Sequence, residues 1–277
     1  MDSNFFKENK IYIYSISLII LVGIIHYFMN SKKINDNNRL VNNNHTIPKI
    51  IHQIYTNRPT KNLHIDVQNN INELKRLNPD YEYRLYDNSD VVNFIKKNYD
   101  EHILKTYYSI NPEYGPARAD YFRYLLMYIE GGIYLDIKSS CNIPFDNIIK
   151  DNDEFILNHW GNYNQEWKKV LKNEWGEYCN WNIIIKPKHP LMKKIIDIIT
   201  YNINNYDINK DGVGKKGVLF LTGPVSYTKI ILEYGKKYNL TIYNNYRQIG
   251  LIYNNIPNYT KLFKKHYTKV FTPIVLN

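Results

Sequence analysis

The segment of residues 117–138, ARADYFRYLLMYIEGGIYLDIK, constrains the fold most, because it joins a helical pattern directly to a strand pattern. Pro116 is a residue type favoured at the start of a helix, and four apolar residues then recur at helical spacing: Ala119, Phe122, Leu126 and Ile129. Gly131 predicts the end of the helix, and the run IYLDI predicts a short buried strand. The segment therefore predicts a helix followed by a sheet strand, with Asp136 at the carboxyl end of that strand.

The same alternation of strand and helix occurs on both sides of this segment. The runs KIIHQIY at residues 49–55 and YEYRLYD at residues 81–87 predict strands. A helical pattern follows each strand, and the predicted N-caps of the two helices are Asp66 and Ser89. Further strands are predicted at residues 155–157, 181–185 and 218–221, and further helices at residues 189–203 and after Pro224. This alternation predicts an α/β fold without a strong internal domain boundary.

The 277-residue chain carries a formal charge of +10, which raises the question of nucleic acid binding. Its Lys and Arg residues are spread among Asn, Ile and Tyr instead of forming blocks, so a compositional bias is the better explanation. Nucleic acid is therefore not expected as a partner, whereas anionic small ligands remain compatible. Cys141 and Cys179 lack the spacing of a zinc site and predict two buried thiols.

Residues 11–29, IYIYSISLIILVGIIHYFM, contain no Asp, Glu, Lys or Arg and are long enough to cross a bilayer as a helix. A cleaved signal peptide is disfavoured because no small-residue cleavage pattern follows, and a buried core helix because an Asn-rich polar stretch follows. The expected organisation is a tail at 1–10, a transmembrane anchor at 11–29, a stem at 30–46 and the folded domain at 47–277.

Three charged residues are expected to meet at one edge of the sheet. Ligands of open α/β sheets bind beyond the carboxyl ends of the strands, where Asp136 is predicted. Asp120 and Arg123 lie at positions i and i+3 of the helix and share a face, and for these two alone an ordinary ion pair is sufficient explanation. Together with Asp136 they favour a sugar-nucleotide site, which needs acceptors for hydroxyl groups and a cation for the diphosphate.

Five stretches of the chain resemble the OCH1-like glycosyltransferase family, whose sugar-binding region contains an Asp-x-Asp motif: IPKIIHQIY, NPDYEYRLYD, ARADYFRYLLMYIEGGIYLD, CNWNIIIKPKHPL and LTGP. The resemblance implies a GT-A-like, Rossmann-type domain with a mostly parallel mixed sheet flanked by helices. It also implies a retaining, family 32-like hexosyltransferase with a nucleotide-sugar donor, a glycan or glycoprotein acceptor and a divalent metal, Mn or Mg. Such enzymes are often membrane-anchored in the secretory pathway, which would place the domain of this chain in the ER or Golgi lumen.

The resemblance further implies roles for individual residues. Three residues of the first strand match positions that line the base and ribose pocket, namely His52, Gln53 and Tyr55. Asp120 and Arg123 match helix residues that hold the sugar and the diphosphate. Asp136 matches the first Asp of the motif, which contacts the donor and reaches the metal.

Lys138 stands where the family has the second Asp of its motif, normally the direct metal ligand. One hypothesis is that the ammonium group of Lys138 replaces the metal, in part or wholly, at the diphosphate. A second is that Lys138 points away while Asp136 and a downstream group hold a cation. A third is that the site binds without catalysing, and a lysine after a strand is also commonly a solvated surface group.

Weaker candidates lie elsewhere in the chain. Asn180 and His189 match an acceptor-side block, although His189 equally fits an exposed helix start, and Thr222 matches a turn near the donor sugar. His266 is a candidate for the diphosphate or a metal. A group of aromatic residues predicts an acceptor platform, core packing or a surface lid: Trp160, Tyr163, Trp167, Trp175 and Tyr178.

Gly212, Gly214 and Gly217 match G-x-G-x-x-G, but a polar run precedes them and a strand-like run follows. A dinucleotide-binding turn requires a strand before it and a helix after it, so a flexible loop is predicted instead.

The sequence thus predicts a membrane-anchored glycosyltransferase. Asp120 and Asp136 are expected to position the donor, and Arg123, with Lys138 or a metal, to stabilise the leaving diphosphate. A catalytically inactive sugar-nucleotide-binding or glycan-binding protein is the stronger alternative, and a basic nucleic-acid-binding module the weaker one.

Overall fold

The computed structural model describes residues 46–56, 63–161, 165–257, 259 and 270–276, without the side chains of residues 165–167. The predicted anchor at residues 11–29, Tyr163, the Trp167 side chain and His266 lie outside this part. Among the residues that the structure does describe, no helix is long and apolar enough to cross a bilayer.

Strands and helices alternate along the described chain. The strands are β1 (Ile50–Ile54), β2 (Glu82–Tyr86), β3 (Gly132–Leu135), β4 (Ser140–Cys141), β5 (Phe155–Asn158), β6 (Asn182–Ile185), β7 (Thr241–Tyr243) and β8 (Leu251–Ile252). The α-helices are α1 (Ile65–Leu77), α2 (Asn88–Asn98), α3 (Glu101–Ser109), α4 (Gly115–Glu130), α5 (Gln165–Leu171), α6 (Pro190–Asn204), α7 (Ile208–Asp211), α8 (Gly214–Leu221) and α9 (Pro224–Tyr234). The predicted α/β class is therefore confirmed.

Six strands form one mixed sheet in the order β2-β1-β3-β6-β5-β7. Strand β6 runs antiparallel to both of its neighbours, whereas the other strand pairs are parallel. The chain passes from β1 to β2 on one side of β1 and later returns to β3 on its other side. The crevice at the carboxyl ends of β1 and β3 is therefore a switch point of the topology, where open α/β sheets bind their ligands.

The central strands are apolar on both faces because helices and loops cover both sides of the sheet. Ile133 and Leu135 of β3 pack in one cluster with Ile184 of β6, whereas Tyr134 and Ile183 pack in a second cluster. Successive side chains of a strand point to opposite faces, so these two clusters lie on opposite sides of the sheet. The burial of every residue of β3 fixes its register and with it the position of Asp136.

Two glycines make the sharp passage from α4 into β3. Gly131 and Gly132 have φ angles of +64° and +87°. A Cβ atom on Gly131 would lie 2.6 Å from the ring of Pro187, and one on Gly132 would lie 2.6 Å from the carbonyl oxygen of Ile50. Both the backbone conformation and the lack of space therefore require glycine, and α4 is held close against the sheet.

Three local predictions are wrong. Residues 218–221 form the end of helix α8, not a strand, and Gly214 and Gly217 belong to that helix instead of to a flexible loop. Gly217 packs so closely that a Cβ atom there would lie 2.6 Å from the Ile274 side chain. The N-caps of α1 and α2 are His64 and Asp87, each two residues before the predicted cap.

Candidate functional site

Asp136 lies directly after β3 in a turn that neighbouring side chains hold in place. The backbone N–H of Ser139 donates to the carbonyl oxygen of Asp136 at 2.8 Å and closes the turn. Gln53 Nε2 donates to the same carbonyl at 3.1 Å, and Asn70 Nδ2 donates to the carbonyls of Ile137 and Ser139 at 3.1 and 3.0 Å. Buried amide groups from β1 and α1 thus fix the backbone that carries Asp136.

Arg123 of α4 bridges the carboxylates of Asp120 and Asp136. Its Nη2 lies 3.3 Å from Oδ1 of Asp120 and 3.3 Å from Oδ1 of Asp136. Its Nη1 donates to the carbonyl oxygen of Asn180 at 2.6 Å, and the hydroxyl of Tyr134 donates to Asp136 Oδ1 at 2.9 Å. The structure therefore brings together the three charged residues selected from the sequence, which we call the charged cluster.

Asp120 is buried, and both of its carboxylate oxygens accept hydrogen bonds. Asn180 Nδ2 donates to Oδ1 at 3.0 Å and Thr222 Oγ1 donates to Oδ2 at 3.1 Å. Burial raises the pKa of Asp120 to about 7, and the positive charge of Arg123 is the strongest influence in the opposite direction. Asn180 and Thr222, the weaker candidates from the sequence, are therefore direct partners of the cluster.

A cleft of about 440 Å³ opens beside the charged cluster. This volume is within the range of small-molecule sites. Besides the three cluster residues, its lining is contributed by Pro116, Lys138, Trp160, Glu177, Cys179, Asn180, Trp181, Lys215, Val218, Leu219, Pro224 and Tyr253. Cys179 and the more distant Cys141 are free and buried, as predicted.

Lys138 faces this cleft. Its Nζ donates to the hydroxyl of Tyr253 at 2.7 Å and lies 4.0 Å from the centre of the Tyr253 ring. Burial lowers the pKa of Lys138 and the nearby carboxylate of Asp136 opposes this effect. Lys138 is therefore a half-buried cation of the cleft and not a solvated surface group.

The wall of the cleft that includes Glu177 and Trp181 carries polar atoms without partners. Glu177 Oε2 and Trp181 Nε1 are buried and have no hydrogen-bond partner among the described residues. Burial raises the pKa of Glu177 to about 7, and Lys215 opposes this shift. The sequence did not single out Glu177, because it lies in a segment without helical or strand periodicity.

The three residues selected on the first predicted strand, of which Tyr55 directly follows β1, are not among the residues that line the cleft. Both ring nitrogens of His52 are within hydrogen-bond distance of structural partners, the Tyr86 hydroxyl at 2.9 Å and the Gly131 carbonyl at 3.1 Å. Burial, and then the charge of Arg84, lower the pKa of His52 to about 3. Gln53 supports the Asp136 turn, and Tyr55 is buried in an apolar cluster with Ile137. Their expected contacts with base and ribose stay a prediction.

The aromatic residues selected from the sequence separate in the structure. Trp160 lines the cleft and its ring packs edge-on against Tyr253, with ring centres 4.5 Å apart. Tyr178 stacks on His159 and Trp175 is exposed. Trp181, which no prediction included as an aromatic ring, takes the place beside Trp160.

His189 starts helix α6, as one alternative predicted, but the expected exposure of its imidazole is wrong. Its ring is fully buried, and Nδ1 accepts from the backbone N–H of Leu191 at 3.2 Å. It packs against Phe155 and Tyr238, so the apolar interior covers it. His189 does not line the cleft.

The side chains beside Asp136 do not fit a divalent metal ion. Within the described residues, no group of three or more His, Cys, Asp and Glu side chains is arranged to hold one. Arg123 already pairs with Oδ1 of both carboxylates of the cluster, and Lys138 and Lys215 are further cations in the lining of the same cleft. Mn and Mg prefer oxygen ligands, and cationic side chains next to the same carboxylates repel a further cation.

Comparison with known proteins shows that this chain is similar to glycosyltransferases. Residues 64–156 match the model of the family described as "glycosyltransferase sugar-binding region containing DXD motif". An uncharacterized glycosyltransferase of Acanthamoeba polyphaga mimivirus is 28% identical over 66% of this chain and 66% of its own length. Inositol phosphoceramide mannosyltransferase 3 of Schizosaccharomyces pombe is 32% identical over 47% of this chain and 36% of its own length. The chain thus spans from about a third to about two thirds of the length of these relatives.

Among solved structures, the PaToxG glycosyltransferase matches with a TM-score of 0.47 and 18% identity, over 76% of this chain and 80% of that one. A likeness of this size adds no argument about activity.

Proposed function

We propose that this chain is a member of the OCH1-like glycosyltransferase family and transfers a hexose from a nucleotide sugar to a glycan or glycoprotein acceptor. The observation that carries the proposal is the charged cluster at the carboxyl end of β3, where Arg123 bridges Asp120 and Asp136 at the edge of a cleft. The family match covers all three residues. A GT-A type of fold and retention of the anomeric configuration are parts of the same proposal.

The chemistry follows from the charges of the cluster. Asp120 and Asp136 accept hydrogen bonds from hydroxyl groups of the donor, and Arg123 with Lys138 opposes the negative charge that grows on the leaving diphosphate. The bond from the anomeric carbon to the diphosphate oxygen breaks, and the acceptor hydroxyl oxygen bonds to that carbon. The proton of the acceptor passes to the departing diphosphate. No side chain is assigned as a covalent nucleophile.

The proposal also includes a donor sugar, a membrane attachment and a cellular compartment. A relative is named a mannosyltransferase, so mannose is the first hexose to test. Residues 11–29 would anchor a single-pass protein with its catalytic domain in the ER or Golgi lumen. A divalent cofactor is not assigned, because the side chains beside Asp136 do not fit one.

The test is a screen of nucleotide sugars against the purified full-length chain, with release of nucleotide and mass change of an added glycan as readouts. Transfer is expected with at least one donor, and Asp136→Ala is expected to stay folded by circular dichroism and to lose transfer. Normal turnover by this variant would overturn the site. Binding of a nucleotide sugar without hydrolysis or transfer would instead support an inactive binding protein, the alternative that Lys138 motivates.

A further inference from the structure

We infer that Lys138, together with Arg123, supplies the positive charge that a divalent cation would otherwise supply, so that the chain binds a nucleoside diphosphate without metal. The inference rests on the proposed function, because it concerns the diphosphate part of the same donor. It assigns to Lys138 the recognition of phosphate oxygens.

The charge balance of the four charged side chains around Asp136 is the first argument. The two carboxylates of the cluster are matched by one guanidinium and one ammonium, from Arg123 and Lys138, so the four side chains are together neutral when ionised. An Asp at position 138 would leave two uncompensated negative charges, and one divalent cation would neutralise them. With lysine at position 138 the site is therefore electrically neutral without a metal ion. With an Asp-x-Asp motif it would be neutral only when a divalent cation is bound.

The second argument is that Lys138 has donors available. An ammonium group has three N–H donors, and Tyr253 takes one of them at 2.7 Å. Among the described residues, Lys138 has no ion-pair partner, in contrast to Arg123, whose Nη2 serves two carboxylates. A half-buried ammonium with free donors beside a cleft is a suitable partner for phosphate oxygens.

The third argument is that Lys138 is held in position. The carbonyl oxygen of Lys138 accepts from the backbone N–H of Asn255 at 2.8 Å, and Ser139 Oγ donates to the carbonyl of Tyr253 at 2.7 Å. Asn70 supports the same turn from α1. The ammonium group is thus presented by a braced turn, so little ordering is needed when a phosphate binds.

The experiment measures binding of GDP and of UDP to the full-length chain by calorimetry, in EDTA and in Mn²⁺. Three variants are compared: Lys138→Met, which keeps the length but removes the charge; Lys138→Asp, which restores the Asp-x-Asp motif; and Lys105→Met, a control at an exposed surface lysine. Electron paramagnetic resonance of Mn²⁺ reports directly whether the metal is bound.

We expect equal affinity of the parent chain in EDTA and in Mn²⁺, and a roughly tenfold to hundredfold loss in Lys138→Met, the range for a charge-assisted hydrogen bond. Lys138→Asp should bind nucleotide only with Mn²⁺ and should immobilise the metal, and Lys105→Met should behave as the parent. Binding by the parent chain only with Mn²⁺ would overturn the inference and leave the proposed function standing. Failure to bind either nucleotide in both buffers, with no transfer in the donor screen, would overturn both.

Discussion

Two groups of residues in the cleft lining, which we call its two sides, differ in how their polar groups are satisfied: the charged cluster, and Glu177 with Trp181. On one side, Arg123 of the charged cluster ties Asp120 to Asp136, and both carboxylates also accept hydrogen bonds from neutral side chains. On the other side, Glu177 and Trp181 bury polar atoms that have no partner among the described residues. A satisfied network is rigid, whereas buried polar atoms without partners are costly unless a ligand or water pairs with them.

This difference separates two tasks within the proposed function. The charged cluster is already formed in the free protein and suits the donor, whose diphosphate and hydroxyl groups need fixed partners. The side with Glu177 and Trp181 suits the acceptor, which would supply the missing hydrogen bonds on arrival. Substitutions on the two sides should therefore have opposite effects on stability.

The largest effect is expected from Arg123→Met. The variant leaves the buried carboxylate of Asp120 and the half-buried carboxylate of Asp136 without their cation, and removal of one partner from a buried ion pair costs about 3–5 kcal/mol. Urea unfolding at pH 7 measures the loss. Arg76→Met is the matched control, because Arg76 pairs with Glu73 at the exposed surface, where solvent screens the pair and its loss should change stability little.

An unfolding free energy of Arg123→Met within about 1 kcal/mol of the control would mean that the cluster is not a tightly coupled network. The contrast between the two sides of the cleft would then disappear.

A smaller loss is expected from Asn70→Ala. Its amide group donates to the carbonyls of Ile137 and Ser139, and buried acceptors left without a donor cost about 1–3 kcal/mol. Asn205→Ala, which removes one amide-to-carbonyl bond at the exposed end of α6, should cost roughly 0.5 kcal/mol. Thermal and urea unfolding compare the two variants.

Transfer by Asn70→Ala should also fall at saturating donor, because the loosened turn carries Asp136 and Lys138. Unchanged turnover with reduced stability would limit Asn70 to a structural role.

The sequence predicted the parts of the fold that rest on clear periodicity. The helix before Gly131, the strand after it and the alternation around β1 and β2 follow from apolar spacing and glycine stops. The run at residues 218–221 was assigned to a strand because four consecutive apolar residues fit a buried strand as well as the end of a short helix. In the structure the segment is helical and Gly217 packs closely against Ile274, a contact between distant parts of the sequence that no local pattern reveals.

The charged cluster was predictable for the same reason. Asp120 and Arg123 share a helix face and Asp136 ends the adjacent strand, so local spacing and one rule of α/β topology bring them together. Asn70 was not predictable as the support of the turn, because a single Asn on an amphipathic helix resembles a solvated residue. Glu177 and Trp181 were not predicted as cleft residues, because their positions depend on how an irregular segment folds back against β5 and α9.

The smallest effect, and the one opposite in sign, is expected from Glu177→Gln. Burial raises the pKa of Glu177 to about 7, so the folded protein holds this proton more tightly than the unfolded chain. Stability from the neutral carboxyl is therefore present below about pH 4.5 and is lost as the pH rises through 7. The variant, which cannot ionise, should match the parent at pH 4 and be more stable by about 1–2 kcal/mol at pH 8. Glu174→Gln, at an exposed position nearby, should change neither value. Urea unfolding at the two pH values measures the difference in stability. A parent chain as stable as the variant at pH 8 would show that Glu177 already has a partner for its charge. The polar groups on both sides of the cleft would then be equally satisfied.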